Sequence, residues 1–221
     1  GNPSTYTSIF KEAGITVIHV VSSTKFALKA QVAGVDAIVA EGFEAGGHNG
    51  RDETTTLCLI PMVASKIKIP LIAAGGIANG SSMLAALHLG ADAVQMGTRF
   101  VASNESSAHL AFKEKVIATN EGDTILTLKE LTPVRLIKNP FYELIQEAYN
   151  KGADKEELLE ILGRGRAKKG MFEGNLIDGE LEIGQIAGIL DDILPASEIV
   201  TQILNEFNAA KAAQNTAKFQ F

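Results

Sequence analysis

The chain has 221 residues, 46% of them hydrophobic, with a formal net charge of -6 and one cysteine. That length and apolar content bury a sizeable core and suit a single α/β barrel domain of roughly 200–250 residues, whereas the negative charge and the lack of any dense Lys/Arg block exclude nucleic acid or an acidic membrane surface as the main partner. No apolar run approaches the roughly 18 residues of a membrane span, no signal-peptide pattern opens the chain, and Cys58 has no second cysteine to pair with, so a cytoplasmic protein with a packed thiol is expected.

Taken in order, TYTSIFKEAG (5–14) reads as a helix and ITVIHVV (15–21) as a buried strand, with His19 a hydrogen-bonded core side chain. TKFALKAQVAG then VDAIVAEG repeats the pair, TLCLIPMVASKI then IPLIAAGG follows, and SSMLAALHLG then ADAVQMGTRF closes the series at residue 100. Val/Ile-rich runs, each preceded by a helix ending near glycine, are what a parallel sheet covered on both faces requires. Right-handed crossovers leave an open doubly wound sheet or a closed eight-stranded barrel, and four strands are half of the second.

Polar and flexible groups gather at the carboxyl ends of successive strands: EAGGHNG (44–50) after the second, AAGGIANG (73–80) after the third and MGTRF (96–100) after the fourth. In a barrel that end is the functional face. The backbone of Gly75, Gly76, Gly97 and Thr98 can form an anion-binding nest there, or each motif is an ordinary tight turn. His48 stands among Gly46, Gly47 and Gly50, where an imidazole can exchange a proton or hydrogen-bond a substrate oxygen; the alternative is a loop histidine satisfied by backbone. Thr54–Thr56 start a helix through a threonine cap. Arg51, Asp52 and Glu53 read as a solvated loop or a contact for a charged cosubstrate, and Arg99 as a phosphate contact or a rim ion pair. His88 and His109 lie on helices without metal-ligand spacing, and no zinc or iron constellation is expected.

After Ser103 the pattern changes. AHLAFKEKVIAT (108–119) is helical, and TILTLKELTPVRLIKN (124–139) reads as short irregular strands or turns broken by Pro133 and Pro140. FYELIQEAYNKGADKEELLEILGRG (141–165) reads as helices separated by Gly152 and Gly163, with the basic GRGRAKK (163–169) a solvated helix end. Gly184 and Gln185 form a tight turn, and the last helix carries Ile199, Ile203, Leu204 and Phe207 on one side for packing.

GNPSTY, AEGFEAGGHNG, IPLIAAGGIANG, AVQMGTRFVASNES and GQIAG together resemble the nitronate monooxygenase family, once called 2-nitropropane dioxygenases, and in particular its enoyl-acyl-carrier-protein reductase branch. The resemblance spans nearly the whole chain. It implies an FMN-dependent TIM-type (β/α)8 barrel with a small, mainly helical second domain. His48 falls on the family's active-site histidine, Gly75 and Gly76 on the phosphate-binding turn, Gln95, Gly97 and Thr98 on the second flavin-binding segment, and Glu41 and Gly47 beside the flavin ring. GQIAG falls near the substrate cleft, or else is a helix start with a packing role. The family's earlier strand–helix units and QGGM-like turn precede GNPS. Residues 1–108 are therefore expected to supply about the second half of the barrel, 109–180 the second domain, and 181–221 a return segment and final barrel helix.

The function so implied is reduction of a trans-2-enoyl chain on acyl carrier protein in fatty acid synthesis, with NADH or NADPH as cosubstrate and His48 polarising or protonating the substrate. The alternatives are oxidation of alkyl nitronates with oxygen, a non-flavin phosphate-binding barrel, and a noncatalytic half-barrel module. A homo-oligomer, or a separate N-terminal half-barrel chain, is the expected protein partner.

Overall fold

The computed structural model describes residues 1–215 and Lys218. In chain order the elements are α1 (Thr7–Glu12), β1 (Ile18–Val21), α2 (Thr24–Val32), β2 (Ala37–Glu41), β3 (Gly47–His48), α3 (Thr56–Ala64), β4 (Leu71–Ala74), α4 (Gly80–His88) and β5 (Ala93–Gln95). There follow α5 (Thr98–Val101), α6 (Leu110–Ile117), β6 (Thr124–Thr127), β7 (Val134–Ile137), α7 (Pro140–Asn150), α8 (Lys155–Leu162) and α9 (Ala196–Ala213). They form two compact units. The first takes Gly1–Glu44, Asp52–Met96 and the stretch from Val200 onward, and the second takes Ala45–Arg51 and Gly97–Ile199. No helix among the described residues is long and apolar enough to cross a membrane.

The first unit is a four-stranded parallel sheet in the order β1-β2-β4-β5. Alternate strand residues Val21, Ile38, Ala40, Leu71 and Ala73 enter one core with Ala27 and Ala30 of α2, Leu59, Ile60 and Val63 of α3, and Ala86 of α4. Ser23 caps α2 on the Phe26 N–H, and Asn79 with Ser82 builds a capping box that starts α4. The expectation that every strand is buried holds for β2 and fails at the flanks. Ile18 and Val20 of β1 are each 51% exposed, and Ala93 and Gln95 of β5 are exposed. These residues lie on the face turned away from α2–α4, next to an unpaired edge. His19 on β1 is only half-buried, so it is not a core side chain. Cys58 is exposed rather than packed, because α3 turns Leu59, Ile60 and Val63 to the sheet and leaves Leu57 and Cys58 outside. On α9, Ile199 and Ile203 are buried, but Leu204 is 49% exposed, one residue's rotation away from the apolar side.

In the second unit, 124–137 is more regular than expected. β6 and β7 pair antiparallel from Thr124–Ile137 to Thr127–Val134, and β3 adds to the other side of β7, with Gly47 opposite Arg135 and His48 opposite Val134. Pro133 precedes β7 and Pro140 is the first residue of α7, where its missing N–H costs no helical bond. Phe112 and Val116 of α6 pack with Ile137, Leu181 and Ile183. Val134 and Leu136 pack with Phe141, Ile145 and Leu158. The basic GRGRAKK stretch is not merely solvated. Arg166 donates to the carbonyls of Ile161, Leu162 and Asp178 at 2.8, 3.0 and 2.8 Å and sits 4.7 Å over the Phe141 ring, closing the end of α8.

Candidate functional site

Residues from three strands of the first unit meet in one row. Glu41 pairs with Ala74 and Ala74 with Gln95, all at the carboxyl ends of parallel strands and on the face away from the helices. Burial pushes the half-buried Glu41 carboxyl above its usual range. Gly75 and Gly76 follow Ala74 with φ of 85° and 70°, a conformation that favours glycine. Among the described residues no acceptor lies on either N–H. Two adjacent backbone donors, half-buried and unused, at the carboxyl end of a parallel sheet fit an anionic group such as a phosphate.

A side-chain network supports this turn. The Thr56 N–H donates to the Glu44 carboxylate at 3.1 and 2.9 Å, and the Thr56 hydroxyl lies 3.0 Å from Glu44 Oε2, 2.9 Å from the Gly75 carbonyl oxygen and 3.3 Å from that of Ala74. The first turn of α3 is therefore capped by Glu44, not by a threonine side chain; Thr55, at the cap position, makes no such bond.

Gly47, His48 and Thr98 belong to the second unit, where the segment Glu182–Gly184 touches both of their loops. A β-carbon on Gly46 would lie 2.5 Å from the Gly184 nitrogen and 2.6 Å from the Ile183 Cα. Gly47 has φ 75°, and a β-carbon there would lie 2.8 Å from Glu182 Oε2. The Gly184 N–H donates to the Thr98 hydroxyl at 3.0 Å. His48 is exposed, and its charge opposes the rise that burial imposes on the Glu182 carboxyl. Gly97 has no neighbour within 4 Å of its β-carbon position.

The remaining candidates resolve into structural roles. Arg99 is buried and paired with Asp192 at 2.5 Å. Arg51 is exposed yet donates to the carbonyls of Lys129 and Leu131 at 2.8 and 2.6 Å, so it fastens the turn before β7 rather than standing free in solvent. His109 caps α6 on the Ala111 N–H, and His88 contacts Gln214 at 2.7 Å. No group of three or more acidic, His or Cys side chains among the described residues could hold a metal.

The profile of the nitronate monooxygenase family matches residues 2–206. The chain belongs to the nitronate monooxygenase family. A probable nitronate monooxygenase of Staphylococcus saprophyticus is 36% identical over 174 residues, 72% of this chain and 49% of that protein. One of Staphylococcus aureus is 35% identical over 213 residues, 90% of this chain and 58% of that protein. The chain thus spans about half the length of these curated relatives. Among solved structures, FabK from Thermotoga maritima superposes with a TM-score of 0.90 at 44% identity, covering 96% of this chain and 67% of that one. Nitroalkane oxidase from Streptomyces ansochromogenes gives 0.77 at 29% identity, covering 96% and 63%. This nitronate monooxygenase family chain is accordingly an α/β protein of an oxidoreductase family, and its parallel strands with α2–α4 supply about half of a TIM-type barrel.

Sequence reasoning missed Glu44, Glu180 and Glu182 in the family chain. The alternation GELEI signals an extended segment with acids on one face, but what that face meets is set by residues far away in the chain. For Glu44, the three threonines that follow drew the helix cap to themselves.

Proposed function

We propose that the protein is an FMN-dependent oxidoreductase that reduces the double bond of enoyl thioesters carried on acyl carrier protein, with NADH or NADPH as cosubstrate. The observation that carries the flavin reading is the pair of unused N–H donors of Gly75 and Gly76 beside the Glu41–Ala74–Gln95 row. In this reading those donors hold the FMN phosphate, and Glu41 and Gln95 border the ring. FMN supplies, when bound, the hydride or electron transfer that side chains cannot perform. His48 contributes the proton chemistry: its exposed imidazole polarises the thioester carbonyl or gives up a proton. The motifs that resemble the reductase branch and the 44% identity to FabK favour the enoyl substrate. The nitronate monooxygenase relatives favour a second reading, in which His48 assists proton removal or binds the nitronate and oxygen is the oxidant.

A flavin absorbance spectrum, followed by steady-state assays of enoyl thioester with NADH or NADPH against nitronate with oxygen, separates the readings; a colourless protein that binds no FMN overturns both. His48→Ala is expected to keep its flavin and its melting temperature while turnover falls about 10²–10⁴-fold, the usual worth of a positioned proton donor. A stable, flavin-loaded His48→Ala protein with near-normal turnover would remove the catalytic role.

A further inference from the structure

Resting on the phosphate reading of the Gly75–Gly76 turn, we propose that Glu44 and Thr56 are positioning residues that aim the two backbone donors of that turn. Across a trans peptide the C=O and the following N–H point in opposite directions, so anchoring one carbonyl fixes the direction of the next amide hydrogen. The Gly75 carbonyl is anchored by the Thr56 hydroxyl at 2.9 Å, which aims the Gly76 N–H. The Ala74 carbonyl accepts from the Gly42 N–H at 2.9 Å and lies 3.3 Å from the same hydroxyl, which aims the Gly75 N–H.

Thr56 is in turn held by Glu44, whose carboxylate takes the Thr56 N–H and contacts the hydroxyl. Space leaves the network no slack. A β-carbon on Gly42 would lie 2.5 Å from the Thr56 nitrogen and would also strike the hydroxyl, and one on Gly76 would lie 3.3 Å from Glu44 Oε1. Loss of the hydroxyl frees the Gly75 carbonyl, and with it the Gly76 donor, while the Gly42 N–H still holds the Ala74 carbonyl. Left unanchored, glycines with positive φ sample many conformations.

FMN and riboflavin differ by the phosphate alone, so titrating the protein with each tests the role without any turnover measurement. The wild-type protein is expected to bind FMN more tightly than riboflavin. Thr56→Val, which keeps the shape and removes the hydroxyl, is expected to weaken FMN about tenfold, the scale of one well-placed hydrogen bond, and to leave riboflavin unchanged. Thr56→Ser is expected to restore FMN affinity. Should Thr56→Val not melt cooperatively, Glu44→Ala carries the same expectation of an FMN-selective loss. Equal loss of both flavins, or loss of neither, with the wild-type phosphate preference intact, overturns the positioning role alone. A wild-type protein that binds neither flavin, or both equally, overturns the phosphate reading and this inference with it.

Discussion

A β-carbon on Gly46 would lie 2.6 Å from the Cα of Ile183, whereas one on Gly97 would meet nothing within 4 Å. Both positions read alike in the sequence, as glycines after strands, yet Gly46 is small because another stretch of backbone crosses it. Gly46→Ala is therefore expected to destabilise the fold by about 2 kcal/mol or more, since backbone cannot move aside cheaply. Gly97→Ala is expected to leave the melting temperature unchanged, because its φ of -94° suits any residue, and to weaken FMN if the flavin phosphate approaches there. Thermal melts and flavin titration of the two variants check both statements, and a destabilised Gly97→Ala protein would show that this glycine serves the fold. Gly75 and Gly76 were legible as a special turn because their need is local. The threading of Gly46 and Gly47 past Glu182–Gly184 was not, since nothing within a few residues encodes it.

The extended segment from Glu180 to Gly184 turns Leu181 and Ile183 into the α6 core and Glu180 and Glu182 to the opposite face. Glu180 is 7% exposed; burial first, and then the neighbouring Glu182 charge, push its carboxyl from 4.5 to about 7, with Arg166 opposing. A carboxyl raised on folding holds its proton more tightly in the folded state. Its contribution to stability is complete below 4.5 and disappears as the pH climbs through about 7. A loss on the order of 3 kcal/mol follows from that shift. The melting temperature should fall between those pH values, and Glu180→Gln should flatten the fall; an unaltered pH profile in the variant would refute the assignment. At this scale the alternation of helix and strand through residue 100 was legible from apolar runs and glycine punctuation. β3 was not, because a two-residue strand exists only through its pairing with β7. The exposure of β1 was also hidden, since an Ile/Val run looks the same at the flank of a sheet as at its centre.

The parallel sheet of the first unit ends in β1 and β5, each with one unpaired edge, and Ile18 and Val20 present apolar surface beside one of them. Open edges flanked by apolar side chains invite pairing with further strands. We propose that further β-strands, such as those of a complementary four-stranded half of the barrel, cover them. Light scattering of the isolated protein is expected to show self-association, or capture of such a half when it is supplied, together with weak FMN binding by the uncovered chain. A monodisperse monomer with full flavin affinity would contradict this.

His48 reaches its place through partners that come much later in the chain: Val134 and Arg135 on β7, and Glu182 beside Gly47. During synthesis the strands β1, β2, β4 and β5 emerge and can pair while β3 still has nothing to join. Such long-range closures are slow and come after local contacts have formed. The histidine is therefore among the last groups to be set, and a nascent chain is complete in its parallel sheet before it can present an ordered imidazole.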